Sequence, residues 1–342
     1  MKILLSLILL SSPALVCSAS GEADWLQSFR INYRLDSFVG SEYYPEKSYH
    51  DFVYCDKLIL GIRGDLHLNT RTDFWLELRH DNVMFDKEII IYRTGVSQHC
   101  SDFVFSYKLD RLEFGKGSEI FQKNINNVFF DRAVLTEYRF DGAECAYQTG
   151  NFCLNVNIGG NSYNTSIVNG NISHHDQLHE YRIFYLYVSR SSEFNEKTHI
   201  TGAEFNQKIK NLDFYDALIY QYVPSLELKE FRNLTELNLK LSPTWRAGTN
   251  FLYTDYSNIK NRNWQITSYL SLKYKLFSQT LLFRYHDMNE FSADYIDREY
   301  NFIAQLNFHN LFSVGANLSY FFSSYDEFYL LGIQANASFQ ID

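Results

Sequence analysis

From Trp25 onward, hydrophobic and polar residues alternate with a period of two. Phe29, Ile31, Tyr33 and Leu35 interleave with Ser28, Arg30, Asn32 and Arg34. Leu58, Leu60 and Ile62 are followed by Leu66 and Leu68, set against Arg63, Asp65, His67 and Asn69. The same pattern closes the chain, where Tyr329, Leu331, Ile333, Ala335, Ala337, Phe339 and Ile341 face Gln334, Asn336, Ser338 and Gln340. Successive side chains of a strand point to opposite sides, so each segment has one apolar and one polar face. The segments run to about ten residues and are bounded by turn residues.

A soluble antiparallel sandwich also alternates. Two features favour a membrane barrel: the number of long segments in one chain, and aromatic residues near segment ends, such as Phe321 with Phe322 and Tyr220 with Tyr222. No apolar run is long enough for a helical span. Strands in lipid must close on themselves to satisfy every backbone group. The expected fold is therefore all-β, a single transmembrane antiparallel β-barrel. Direct counting gives roughly 17 strands, which conflicts with alternating tight and long connections between residues 161 and 180. One more strand over about residues 163–172 restores the parity, for about 18 in all, with 16 as the fallback. Tight turns are expected near 69–71, 109–111, 149–151, 210–211, 242–243 and 309–310. Long connections are expected over 37–55, 81–101, 117–135, 226–231 and 287–298.

The first twenty residues read as an export signal. Lys2 is followed by an apolar stretch over 3–10, and Ser18, Ala19 and Ser20 offer a small-residue cleavage zone near Ala19 or Ser20. The barrel would then occupy residues 21–342, in the bacterial outer membrane. Cys17 raises the alternative of lipidation, but Val16 stands where a lipoprotein signal has a small residue.

Composition agrees with strands. The chain has 26 Tyr and 29 Phe but only 4 Pro, the mix that suits sheet rather than helix. Its formal net charge of −9 becomes −10 once Lys2 is removed, which disfavours nucleic acid as a partner. The partners implied are outer-membrane lipid and small hydrophilic solutes; no feature defines an oligomeric state. Cys55, Cys100, Cys145 and Cys153 show neither CxxC nor zinc spacing. A bridge between Cys55 and Cys100 and a set of unpaired thiols are both open. No nucleophile elbow, HExxH, P-loop or dinucleotide fingerprint occurs. His174, His175, Asp176 and His179 read as a solvated turn rather than a metal cluster, and His67, His80, His286 and His309 fall on separate segments. Neither enzymatic activity nor a cofactor or metal is expected.

Sorting charges by face places Arg30, Arg34, Arg63, Glu77, Arg79, Lys108, Arg182, Arg246, Lys273 and Arg284 toward the lumen. The inward acids, with Glu77, are Asp65, Glu204, Asp213 and Glu236, fewer than the bases. A basic bore would favour anions; mixed-sign networks would instead only brace the wall. Both readings stand, and a one-residue slip would turn a strand's charges outward. Residues 117–135 form the candidate constriction loop, with Phe121, Phe129, Phe130, Asp131 and Arg132; apolar residues in so long a loop predict that it folds inward. Trp75, Tyr215 and Tyr269 would stack on sugar rings or pack against this loop.

One region carries a resemblance. Leu112-Glu113-Phe114-Gly115-Lys116-Gly117 ends a segment, Tyr138-Arg139-Phe140-Asp141-Gly142-Ala143 opens the next, and Gly159-Gly160-Asn161-Ser162-Tyr163-Asn164 follows. This order is similar to the alginate-export porin family and its relatives among 18-stranded outer-membrane porins. The resemblance implies the barrel and an export or uptake pore. The dense arginine lining of an alginate channel is not evident, so it does not imply alginate as solute. The sequence thus points to passive diffusion of small hydrophilic, including anionic, solutes. A structural or adhesive barrel with ligand-binding outer loops is the alternative, and a barrel-wall hydrolase a remoter one.

Overall fold

The computed structural model describes residues 26–45, 49–67, 71–81, 89–116, 134–161, 165–190, 196–256, 261–287, 298–308, 312–322 and 327–341. In chain order the strands are β1 (Leu26–Tyr44), β2 (Tyr49–His67), β3 (Arg71–Asp81), β4 (Ile89–Cys100), β5 (Phe103–Lys116), β6 (Val134–Thr149), β7 (Phe152–Asn161), β8 (Thr165–His175) and β9 (His179–Arg190). They continue as β10 (Lys197–Ile209), β11 (Leu212–Val223), β12 (Leu228–Lys240), β13 (Trp245–Tyr256), β14 (Asn261–Tyr274), β15 (Phe277–Asp287), β16 (Arg298–Phe308), β17 (Phe312–Phe322) and β18 (Glu327–Ile341). Each pairs antiparallel with its neighbours in sequence, and β1 pairs with β18 from Ile31 opposite Ile341 to Tyr43 opposite Tyr329. The result is a closed 18-stranded barrel. The strand inserted to repair turn parity is β8.

The register assigns every side chain a face. On one face polar residues are buried: Asn317, Gln334 and Thr267 are 0% exposed. On the other, large apolar residues lie bare, among them Ile183 at 66% and Ile333 at 62%. That inversion of the soluble pattern fits a lipid-facing exterior around a polar interior. Rings form two chains on the outer face. Toward one end Trp264 lies 5.1 Å from Tyr285, Phe283 5.2 Å from Tyr300 and Tyr320 4.9 Å from Tyr329. Toward the other, Phe103 lies 4.8 Å from Tyr147 and Tyr181 5.0 Å from Phe205. Among the described residues no helix is long and apolar enough to cross a membrane.

Two-residue turns gather at the end where β1 begins and β18 ends. Ser101, Gly150, Lys210 and Lys275 open these turns with φ of 54°, 54°, 51° and 52°. Positive φ at this position suits the twist of a tight hairpin. Several expected connections differ. Residues 109–111 are not a turn, because β5 runs straight through them; the turn lies at Ser101 and Asp102. Most of 37–55 belongs to β1 and β2, residues 89–100 form β4, and the β11–β12 connection is short. At 19 residues each, β1 and β2 exceed the roughly 9–11 that a bilayer requires. Beyond the lipid their outward positions, such as Ser37 and Ser41, are free to be polar, and the alternation that marks a strand is lost.

Cys55 and Cys100 both lie on strands rather than loops. Cys55 stands opposite Phe38, whereas Cys100 adjoins the Ser101 turn at the other end of the barrel and is a free thiol, so the two are not bridged. Asp176 caps the β8–β9 turn, accepting the backbone N–H groups of Leu178 at 2.8 Å and His179 at 2.7 Å. Among the described residues no group of His, Cys, Asp and Glu is placed to hold a metal ion.

Candidate functional site: a ribbon folded into the lumen

β5 pairs with β4 only as far as Leu109, opposite Thr94, and β6 pairs with β7 only from Asp141, opposite Gly160. Between themselves β5 and β6 stay paired from Phe103 and Tyr147 to Lys116 and Val134. Residues 110–116 and 134–140 therefore form a two-stranded ribbon that has left the wall. It enters the interior, where the Phe114 ring stacks on Phe184 of β9 with centroids 4.1 Å apart. On the wall β5 and β9 are four strands apart, a gap the ribbon closes from inside.

Docking is apolar at its centre. Leu112, Phe114, Leu135 and Phe140 of the ribbon are buried against a wall patch that includes Ile167, Leu186, Ile200, Ala217, Ile219 and Leu234. Burial of each large side chain contributes roughly 1.5–3 kcal/mol. Polar groups fix the edges. Glu204 of β10 accepts the Gly115 N–H, and Arg182 of β9 reaches the Glu113 carbonyl at 3.3 Å. Arg232 of β12, paired with Glu230 at 2.7 Å, donates to the Leu135 carbonyl. Gly115, at φ 62°, takes a conformation that other residues adopt at a cost. Where β6 leaves the wall, Gly142 stands opposite Gly159 beneath the Phe140 ring. A Cβ on Gly142 would lie 2.5 Å from the Gly159 Cα and 2.8 Å from that ring.

The ribbon's other face is charged. Arg111 pairs with Glu137, and Glu113 lies 3.3 Å from Arg93 of β4, which also meets Asp110 at 3.2 Å. A bulge between β3 and β4 sets Tyr92 apart from the regular register. Three guanidiniums surround its ring: Arg111 at 4.4 Å, Arg79 at 5.0 Å and Arg93 at 5.2 Å from the centroid. The π face offsets part of their mutual repulsion, at about 0.5–2 kcal/mol per contact. The ribbon thus joins a cluster of paired charges at β3–β4 to an apolar shelf at β8–β12.

The register puts all ten sequence-selected wall charges on the inner face, and most of them in ion pairs or opposite another charge. Arg34 lies 2.8 Å from Asp36, Lys108 2.5 Å from Glu144, Arg182 2.5 Å from Glu204 and Arg284 2.9 Å from Glu299. Glu77 stands opposite Arg93, Arg30 opposite Arg63, Arg246 opposite Ser271 and Lys273 opposite Ser278, while Arg79 faces Tyr92. The inward acids outnumber those the sequence suggested, since Asp36, Asp73, Glu144, Glu230 and Glu299 join them. Cations and carboxylates are interleaved, as in the bracing network, rather than set in a uniformly basic ring. Tyr215 packs in the ribbon shelf, Tyr269 donates to Asn238 at 2.8 Å, and Trp75 stands opposite Arg63. Phe121, Phe129, Phe130, Asp131, Arg132 and the signal residues lie outside the described residues.

The apolar shelf escaped the sequence reading, although a signal was present. Ile183-Phe184-Tyr185-Leu186-Tyr187-Val188 is apolar on both faces, as befits a strand buried on both sides. In a barrel wall that means lipid outside and a packed element inside.

No protein-family model matches the sequence, and no curated protein matches it. Solved structures do. An anion-selective porin from Comamonas acidovorans superposes with a TM-score of 0.61 at 10% identity, over 91% of this chain and 99% of that one. OccK11 (OpdR) of Pseudomonas aeruginosa gives 0.59 at 8% identity, over 93% and 98%. A triple mutant of a Rhodopseudomonas blastica porin gives 0.56 at 11%, over 91% and 100%. At these identities the likeness concerns the fold, and the fold this chain shares is that of outer-membrane porins.

Proposed function

We propose that the chain is a passive channel of the bacterial outer membrane, exported by a signal in residues 1–20, through which small hydrophilic solutes diffuse. The observation that carries this reading is the barrel's polar interior with a ribbon docked inside it from β5 and β6. An element that only braced the wall would need no charged face turned to the lumen. Here Arg111 and Glu137 occupy that face, opposite Arg79 and Arg93. A solute passing the ribbon meets this corner, where charge acts over short distances in a confined space. The mechanism is diffusion down a gradient, with no chemical step and no cofactor.

The charge preference follows from pairing. Most inward bases share a carboxylate, so selectivity is weak. The interleaved acids disfavour a dense polyanion as solute. The test is single-channel conductance of refolded protein in planar bilayers, with a reversal potential across a salt gradient. Discrete steps with a small reversal potential support the reading. Absence of steps from protein shown to be folded overturns it and turns attention to a structural barrel.

A further inference from the structure

Beneath the ribbon, between its Leu112–Phe114 edge and the wall, lies a cavity of about 630 Å³. Asn155, Asn157, Asn169, Asn171, Asn206 and Asn238 line it, among charged and aromatic side chains. Asn155 and Asn157 of β7 stand opposite Asn171 and Asn169 of β8, so four amides share one patch of inner wall. Asn157 donates to Asn155 at 2.6 Å. Asn157 and Asn169 are each 1% exposed, yet the side-chain oxygen of each has no hydrogen-bond partner among the described residues. Buried polar atoms are nearly always satisfied, and an unsatisfied one costs about 1–3 kcal/mol. These oxygens are therefore acceptors waiting for a donor.

Charges of both signs line the cavity, Lys108, Arg111, Arg182 and Lys208 against Glu113, Glu144, Glu180, Glu204 and Asp213. Lys108 is held by Glu144 and Arg182 by Glu204, each at 2.5 Å. An anion meets the carboxylates here and a cation meets the bases. A neutral hydroxylated molecule is repelled by neither. Its hydroxyls both donate and accept, as carboxamides do, and its C–H faces suit the edges of Phe114 and Tyr215, which also line the cavity. The volume falls within the roughly 300–1,000 Å³ of small-ligand pockets.

We infer that the cavity beneath the ribbon is a subsite for a neutral sugar or polyol, recognised by Asn157 and Asn169. This rests on the channel reading and gives that channel a solute class distinct from its weak ionic preference. The test is ion-current block by sucrose in planar bilayers, with gluconate as the charged comparison, on the wild-type chain and on Asn157→Leu/Asn169→Leu. Sucrose is expected to block saturably and better than gluconate, and the double substitution to raise the half-blocking concentration roughly tenfold while sugar-free conductance is retained. If the double variant does not assemble, Asn171→Leu is read the same way. Open channels with no sucrose block, equal block by gluconate, or block unchanged in the variants overturn the subsite and leave the channel standing. If folded protein gives no channels, the channel reading fails. Binding of radiolabelled sucrose to that protein in detergent, present or absent, and lost or kept in the variants, then decides the subsite separately.

Discussion

Arg182 and Glu204 stand opposite each other on β9 and β10, with Nη2 2.5 Å from Oε1, and both also hold the β5 strand of the ribbon. Arg182 donates to the Glu113 carbonyl, and Glu204 accepts the Gly115 N–H. One cross-strand ion pair of the wall is thus also the latch of the element inside it. Charge-assisted hydrogen bonds of this kind contribute about 1.5–3 kcal/mol each. Arg182→Ala and Glu204→Gln are expected to leave the barrel folded but to loosen the ribbon. The readout is single-channel recording, with larger conductance and more frequent fluctuation than wild type. Unaltered conductance in both variants would show that the apolar contacts alone set the ribbon's position.

Gly142→Val tests the point of departure from the wall. The added side chain meets backbone at Gly159 and the Phe140 ring. Overpacking of this kind costs about 1–3 kcal/mol, and here the strain falls where β6 must leave β7. The expected outcome is a lower yield of heat-resistant barrel on refolding, measured by gel mobility with and without boiling. Gly150→Ala is the comparison for added bulk, since nothing lies within 4 Å of the Cβ it would introduce, although its φ of 54° carries a backbone penalty of its own.

Selectivity should respond to the charges around the Tyr92 ring. Replacing Arg79 or Arg111 with Gln removes a unit charge near the path, an effect of about 1 kcal/mol at 4 Å in water, or roughly fivefold in permeability ratio. The reversal potential should move toward cations. Glu299→Gln releases Arg284 from its carboxylate and should move it toward anions. Shifts of the opposite sign would reverse the assignment of the inner face.

The β8–β9 turn carries a pH dependence outside the membrane-spanning segments. Backbone N–H groups of Leu178 and His179 hold the Asp176 carboxyl below its ordinary value of 3.8. A depressed carboxylate stabilises above its unfolded pKa, and that contribution is lost as pH falls through the lower folded value. Protection of the Leu178 and His179 amides from hydrogen exchange, relative to free amides at the same pH, should therefore hold at neutral pH and fall only below 3.8. Asp176→Ala should lower that protection at neutral pH and leave it unchanged once the carboxyl is protonated.

The barrel was legible in the residues because lipid imposes one rule on every strand: apolar outward, and here polar inward. Tyr329 to Ile341 states that rule in one segment, and the alternation of tight and long connections was enough to require β8. A period of two also leaves each charge only two faces to choose between. Ion pairing was not legible, since Lys108 and Glu144 lie 36 residues apart on different strands and only the register brings them together. Nor was the ribbon. Local sequence cannot distinguish a strand that stays in the wall from one that leaves it, because β5 keeps the same partner in β6 throughout. Leaving depends on what waits across the lumen: the Phe184, Leu186 and Ile200 shelf, which became a shelf only when the sheet closed. The sequence by itself determined a closed antiparallel wall, because alternation along every strand demands one. The tertiary structure decided which charges neutralise one another, and where the interior narrows, because both depend on contacts between strands that are distant in the chain.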